Sequence, residues 1–205
     1  NATNWNLPVG APIPISDATL TGTVDATQIV VPEFQAHVLE GNVNGTLRID
    51  WSSGVRLQSN LSVAHLAVKD LVRAFTPDIA ITGKLDGNFD VTSAAPALEN
   101  LLDSPQVQGR FKLAEGSVSN ADLVAVMQSD AAGQRAGVTK FAELSGEYAA
   151  GENRAAYRGL TLQGGVLRGN GAVDLGANGV VNVHLTLDIR TQVAQPRGAV
   201  AVAGT

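Results

Sequence analysis

The 205-residue chain carries 14 basic and 19 acidic side chains, for a net charge of -5, and no cysteine. With no basic stripe or polybasic run, it is poorly suited to nucleic acid or anionic headgroups; without cysteine, disulfides, thiolate metal sites and a cysteine nucleophile are excluded. No stretch reaches the roughly 18 apolar residues of a membrane span, and 22 glycines with 4% aromatic residues suit turns and extended strands better than a ring-rich enzyme pocket.

Residues 1–16 hold Pro8, Pro12 and Pro14 and read as an extended lead-in, with residues 17–205 as a single β domain. Leu39, Val43, Leu47, Ile49 and Trp51 keep one parity, with Arg48 and Asp50 opposite. Ser52-Ser53-Gly54 turns the chain, and Val55, Leu57, Leu61 and Val63 then alternate with Arg56, Gln58, Asn60 and Ser62. This predicts a hairpin with one apolar and one wet face.

The same period runs through residues 81–92, where Ile81, Leu85, Phe89 and Val91 oppose Thr82, Lys84, Asp86, Asn88 and Asp90. It returns over residues 107–113, with Gln108, Arg110 and Lys112 outside, and again at Val181, Val183, Leu185, Leu187 and Ile189. Asn178-Gly179, just before that last run, is a hairpin signal. Sustained alternation of this kind belongs to antiparallel sheets with one solvated face.

Three short segments have helical spacing: Val68, Leu71, Val72 and Phe75; Leu98, Leu101 and Leu102 after Pro96; and Leu123, Val124 and Met127 after Ser119. Each is too short to stand alone and is expected to cap the sheet. The polar residues 128–137 read as a loop.

One phrase recurs along the strands: apolar, any, Gly, any, apolar. It appears as Leu20-Gly22-Val24, Leu39-Gly41-Val43, Val43-Gly45-Leu47, Ile81-Gly83-Leu85, Leu85-Gly87-Phe89, Val107-Gly109-Phe111 and Leu144-Gly146-Tyr148. At period two, the glycine and both apolar partners share one face. Glycine inside a strand weakens it and marks a bend or a close approach. Repeated on the apolar face, it is expected to leave room there and to shape a curved, partly hollowed sheet.

Catalytic constellations are absent from the pattern. His37, His65 and His184 are far apart and read as solvated or edge residues, with no close ligand pair. No Gly-x-Ser-x-Gly elbow exists. Asp86, Asp90 and Asp174 fall on polar faces and read as scattered surface acids rather than a glycosidase pair. Gly164-Gly165 with Gly169 and Gly171 is flanked by strands, so it reads as a turn and bulged strand rather than a phosphate loop.

Taken in order, several segments carry a resemblance. They are Leu61-Ser62-Val63-Ala64-His65-Leu66 with Asp70-Leu71-Val72, then Ile81-Thr82-Gly83-Lys84-Leu85-Asp86-Gly87-Asn88-Phe89. Val107-Gln108-Gly109-Arg110-Phe111-Lys112-Leu113-Ala114-Glu115-Gly116 and Asn120-Ala121-Asp122-Leu123 follow. Thr139-Lys140-Phe141-Ala142-Glu143-Leu144-Ser145-Gly146 and Gly169-Asn170-Gly171-Ala172-Val173-Asp174-Leu175 complete the set. Over residues 41–205 the ordered set resembles the C-terminal region of the AsmA-like family of bacterial envelope proteins, TamB-type relatives included. The resemblance implies a segment of a longer protein in the periplasm of a Gram-negative bacterium, tethered to the inner membrane by a helix outside the segment. It further implies a long curved sheet with an apolar concave side, a part in outer-membrane biogenesis and phospholipid transport, and no catalytic motif.

The expected fold is therefore mainly β: a long curved antiparallel sheet, groove-like or partly closed, with two or three short capping helices. The expected function is a non-enzymatic, cofactor-free module that shields glycerophospholipid acyl chains. Its groove candidates by parity are Leu47, Ile49, Trp51, Leu57, Leu61, Val63, Leu85, Phe89, Phe111, Leu113, Val183, Leu185 and Leu187. The rival expectations are an assembly or scaffold factor that pairs sheet edges with outer-membrane protein strands, and a carbohydrate-binding sandwich. Two Trp and two Tyr supply few aromatic platforms for the latter.

Overall fold

The computed structural model describes residues 2–7, 13–75, 80–119, 137–177 and 180–189. Within them eleven strands form one sheet in chain order, each antiparallel to the next. They are β1 (Ala2–Leu7), β2 (Ile13–Val24), β3 (Gln28–Val38), β4 (Gly41–Asp50), β5 (Val55–Ala67) and β6 (Ile81–Ala95). After them come β7 (Gln106–Ser119), β8 (Val138–Gly151), β9 (Arg154–Gly164), β10 (Leu167–Leu175) and β11 (Val181–Ile189). Among the described residues the sheet is not closed into a barrel, and β1 and β11 are its edges.

The mainly β antiparallel expectation holds, and the residues read as a lead-in supply β1 and the start of β2. The expected set of two or three capping helices does not hold. Among the described residues there is one eight-residue helical segment, α1 (Val68–Phe75), and a single 3-10 turn at Leu98–Asn100. Three apolar residues after Pro96 are too few to propagate a helix once nucleation has been met. The third expected helix, Asn178-Gly179 and residues 128–136 lie outside the described residues. No helix among the described residues is long and apolar enough to cross a membrane.

Most strands obey the simple alternation, but register slips interrupt it on alternate strands. One extra residue sits in β3 between Val31 and Phe34, in β5 between Val63 and Leu66, in β7 between Ala114 and Ser117, and in β9 between Arg158 and Thr161. A further slip lies in β2 between Ile15 and Asp17. His65 (φ +57°), Glu115 (φ +51°) and Gly159 (φ +55°) take left-handed backbone at three of the slips. A bulge bends its strand, adds twist and moves the apolar set to the other parity. Hence Ile29 and Val31 share a face with Phe34, Ala36 and Val38.

The best-buried part of the apolar face lies at one end of the strands. Ile15, Ala18, Val38, Leu66, Leu113 and Phe141 gather there around Val68 of α1, with Leu71 and Val72 packed against them. Elsewhere on the face most side chains are half-buried, with Val31, Leu57 and Ser59 buried toward the other strand ends and Val183 and Leu185 exposed on β11.

Two adjacent residues in β7 give opposite stability predictions. A Cβ on Gly116 would stand 2.2 Å from the Phe141 ring and 2.5 Å from the Thr82 carbonyl oxygen; Gly116→Ala is expected to destabilise by about 2 kcal/mol. Glu115→Gly, which relieves left-handed strain at the bulge, is expected to stabilise by about 0.5 kcal/mol. Urea denaturation of the two variants checks both signs.

Candidate functional site

Residues directly opposite one another across the strands share a face about 5 Å apart, so the register turns single-strand parity into rows that cross the sheet. One row is a leucine ladder: Leu66, Leu85, Leu113, Leu144 and Leu162, then Gly169 and Leu187. Beside it run Ala36, Val43, Val63, Gly87, Phe111 and Gly146, continued past the slip in β9 by Leu160, Gly171 and Leu185. The longest joins Leu20, Phe34, Gly45, Leu61, Phe89, Gly109, Tyr148, Tyr157, Val173 and Val183, one from each strand β2 to β11.

Toward the other strand ends lie Val31, Leu47, Ser59, Val91, Val107, Ala150, Ala155 and Leu175, then Ile29, Ile49 and Leu57. Ser59 is buried in this apolar setting and donates its hydroxyl to the Thr46 carbonyl oxygen at 2.7 Å, so its polarity is satisfied.

The glycines of these rows do not leave the room expected of them. A Cβ on Gly45 would meet the Phe34 ring at 3.0 Å, one on Gly109 the Phe89 ring at 2.6 Å, and one on Gly87 the same ring at 2.8 Å. Leu187 and Leu185 lie in the same way over Gly169 and Gly171, at 2.6 and 2.5 Å. The missing side chain is replaced by a neighbour lying flat on the backbone, which lowers the relief of the face rather than hollowing it. Tyr148, Tyr157 and Phe111 form a ring cluster, with centroids 5.0 Å apart for the tyrosines and 6.1 Å for the edge-on Phe111–Tyr157 pair. Burial pushes both tyrosine hydroxyls up from their usual pKa, keeping them neutral.

Twelve of the thirteen groove candidates fall on these rows. Leu47, Ile49, Leu61, Val63, Leu85, Phe89, Phe111 and Leu187 are half-buried, and Val183 and Leu185 are exposed at 51% and 46%. Leu57 and Leu113 are buried and offer little surface. Parity missed Phe34, Tyr157, Leu160 and Val173, which fill the rows between the candidates together with Val91, Leu144 and Tyr148, read on the apolar face but not among the candidates. Their signal was the glycine phrase Leu144-Gly146-Tyr148, whose partners across the strand are apolar.

Trp51 stands apart. It follows β4, and its indole Nε1 donates to the Ala26 carbonyl oxygen at 2.8 Å, tying the strand end to the β2–β3 turn. In that turn the Asp25 carboxylate accepts from the Thr27 and Gln28 backbone N–H groups at 2.8 and 3.0 Å.

The opposite face is a polar lattice. Lys112 pairs with Glu143 at 2.5 Å, Arg110 with Glu147 at 3.2 Å, and Arg158 with Asp174. Asn60 donates to Asp90 at 2.5 Å. Two furrows of about 870 and 540 Å³ lie on this face, sharing Asp90, Gln108, Ala149 and Ala156, and neither is lined by any of the thirteen candidates. A twisted open sheet is saddle-shaped, so each face is hollow along one diagonal; the polar furrows follow from that twist. His37, His65 and His184 lie on separate strands or bulges. Among the described residues no group of His, Asp and Glu is placed to hold a metal ion.

Asp25 yields a pH prediction. The backbone N–H of Thr27, then the Gln28 and Thr27 side chains, hold its carboxyl at about 2, below the ordinary 3.8. A depressed carboxyl supports the fold at pH values above its unfolded pKa and loses that support as the pH falls through its folded value. The Asp25 carboxyl signal is expected to titrate near pH 2 by NMR, with the Thr27 and Gln28 amides losing protection over the same range. In comparisons with known proteins, no family model, curated protein or solved structure matches this chain.

Proposed function

We propose that the sheet is a gutter whose apolar face turns inward, and that it shields glycerophospholipid acyl chains in the periplasm of a Gram-negative bacterium. In this reading it is a non-enzymatic part of a longer AsmA-like protein, held at the inner membrane by a helix outside this segment, and it supports phospholipid transport and outer-membrane biogenesis. The observation that carries the reading is the row from Leu20 to Val183, which crosses ten strands without a charged residue. Nine inter-strand steps of about 4.8 Å make it about 43 Å long, more than one extended acyl chain needs.

The bulges on alternate strands support the curvature, because each bends its strand across the axis of the rows. The rings and leucines lying flat over glycines give a low, smooth floor. Burial of apolar surface contributes about 0.8 kcal/mol per CH₂, so a long chain gains roughly 10 kcal/mol from such a floor. The attraction has no direction, and a lipid slides along it without breaking a specific polar contact.

The test uses the parity of two adjacent pairs. A photo-crosslinking amino acid replaces Phe89 or Phe111 on the apolar face, or Asn88 or Arg110 on the polar face, and the chain is incubated with phosphatidylethanolamine–phosphatidylglycerol vesicles. Lipid adducts are expected several-fold more strongly at 89 and 111 than at 88 and 110. Leu61→Asp, a charge in the middle of the long row, is expected to reduce them at both apolar positions. Equal labelling of the two faces, or none on either, overturns the reading.

A further inference from the structure

Sheets protect their edges with short strands, prolines, lysines or bulges, because an edge presents a row of unpaired backbone groups. The edge strand β1 is six residues long. The other edge among the described residues, β11, has none of these devices: it contains no proline and no lysine, and it pairs with β10 at nine consecutive positions without a slip. Its apolar side chains Val183 and Leu185 are the most exposed members of their rows on the apolar face beyond β2, at 51% and 46%. Four of these rows reach β11 and stop there, at Leu187, Leu185, Val183 and Val181.

An antiparallel partner that keeps the apolar face continuous must set residues of like parity opposite one another. Strand β11 satisfies this requirement with a copy of itself. The one self-pairing that uses all nine residues centres on Leu185, so Leu185 faces the second copy's Leu185 and Val183 faces the second copy's Leu187. On the polar side His184 meets the second copy's Thr186, and Asn182 meets the second copy's Asp188. No like charges face each other, and every apolar row continues into an apolar residue.

We propose that β11 is a self-association edge, pairing two copies of this chain antiparallel about a two-fold axis through Leu185. The axis is normal to the sheet, so both apolar faces lie on the same side and the rows run unbroken across the junction. The inference stands on the edge and its register and does not need the lipid reading.

The chain has no cysteine, which makes single-cysteine scanning clean. Leu185→Cys is expected to give a disulfide-linked dimer on mild oxidation, because residue 185 faces itself; Val183→Cys and Leu187→Cys are expected to give no disulfide link. Sedimentation at tens of micromolar is expected to give twice the chain mass. A charge test keeps the apolar face intact: His184→Glu with Thr186→Glu sets two pairs of carboxylates opposite each other and is expected to weaken the dimer about tenfold. His184→Glu with Thr186→Lys is expected to restore it. A chain that sediments as a monomer, with the edge covered by another segment of its own or by nothing, overturns the proposal. So does a dimer that ignores the charge swap and gives no crosslink at 185.

Discussion

The contact on which the sheet depends is that between an apolar-face glycine and the large side chain lying over it from the next strand. Phe34 on Gly45, Phe89 on Gly109 and Phe141 on Gly116 all use it. Glycine in a strand gives up entropy and packing surface, and a flat ring or leucine restores the surface from the side. Because the covering residue belongs to the neighbouring strand, the contact also specifies register. A slip of one residue would put a Cβ where the ring lies and turn every apolar side chain to the wet face.

This arrangement distributes stability unusually for a chain of this length. Among the described residues only the end capped by α1 forms a buried cluster of the ordinary kind, and the remaining rows are held by cross-strand pairs that are mostly half-wet. The polar face adds paired charges, Arg110 with Glu147 and Arg158 with Asp174, but these are exposed and contribute little individually. Their effect lies in alignment: opposite charges meet across strands, and a shifted register would separate these pairs.

Legibility from sequence followed the period. The β4–β5 hairpin, β6 and β11 alternate without interruption over most of their length, and each was readable with the correct face. The strands β3 and β9 were not, because each carries a bulge in its middle and switches parity there: Val31 to Phe34 in one, Tyr157 to Leu160 in the other. The turn at Gly165 was legible, whereas the associated bulge lies in β9 rather than in the glycine-rich β10. Trp51 kept the right parity, yet its indole N–H is used on the β2–β3 turn. The glycine phrase marked the right face but suggested empty space, since one strand read alone does not reveal that its neighbour's ring fills the gap. The polar furrows had no signal in any single strand, because they arise from twist summed over several.

Among the described residues each strand hydrogen-bonds only to the strands before and after it in the chain. No pairing has to wait for a distant partner, so loop closure adds little to the kinetic barrier for any hairpin. Such a sheet can assemble vectorially, one strand joining the growing front as it leaves a ribosome or a translocation channel, and its length can change in evolution by whole hairpins without disturbing the strands already laid down.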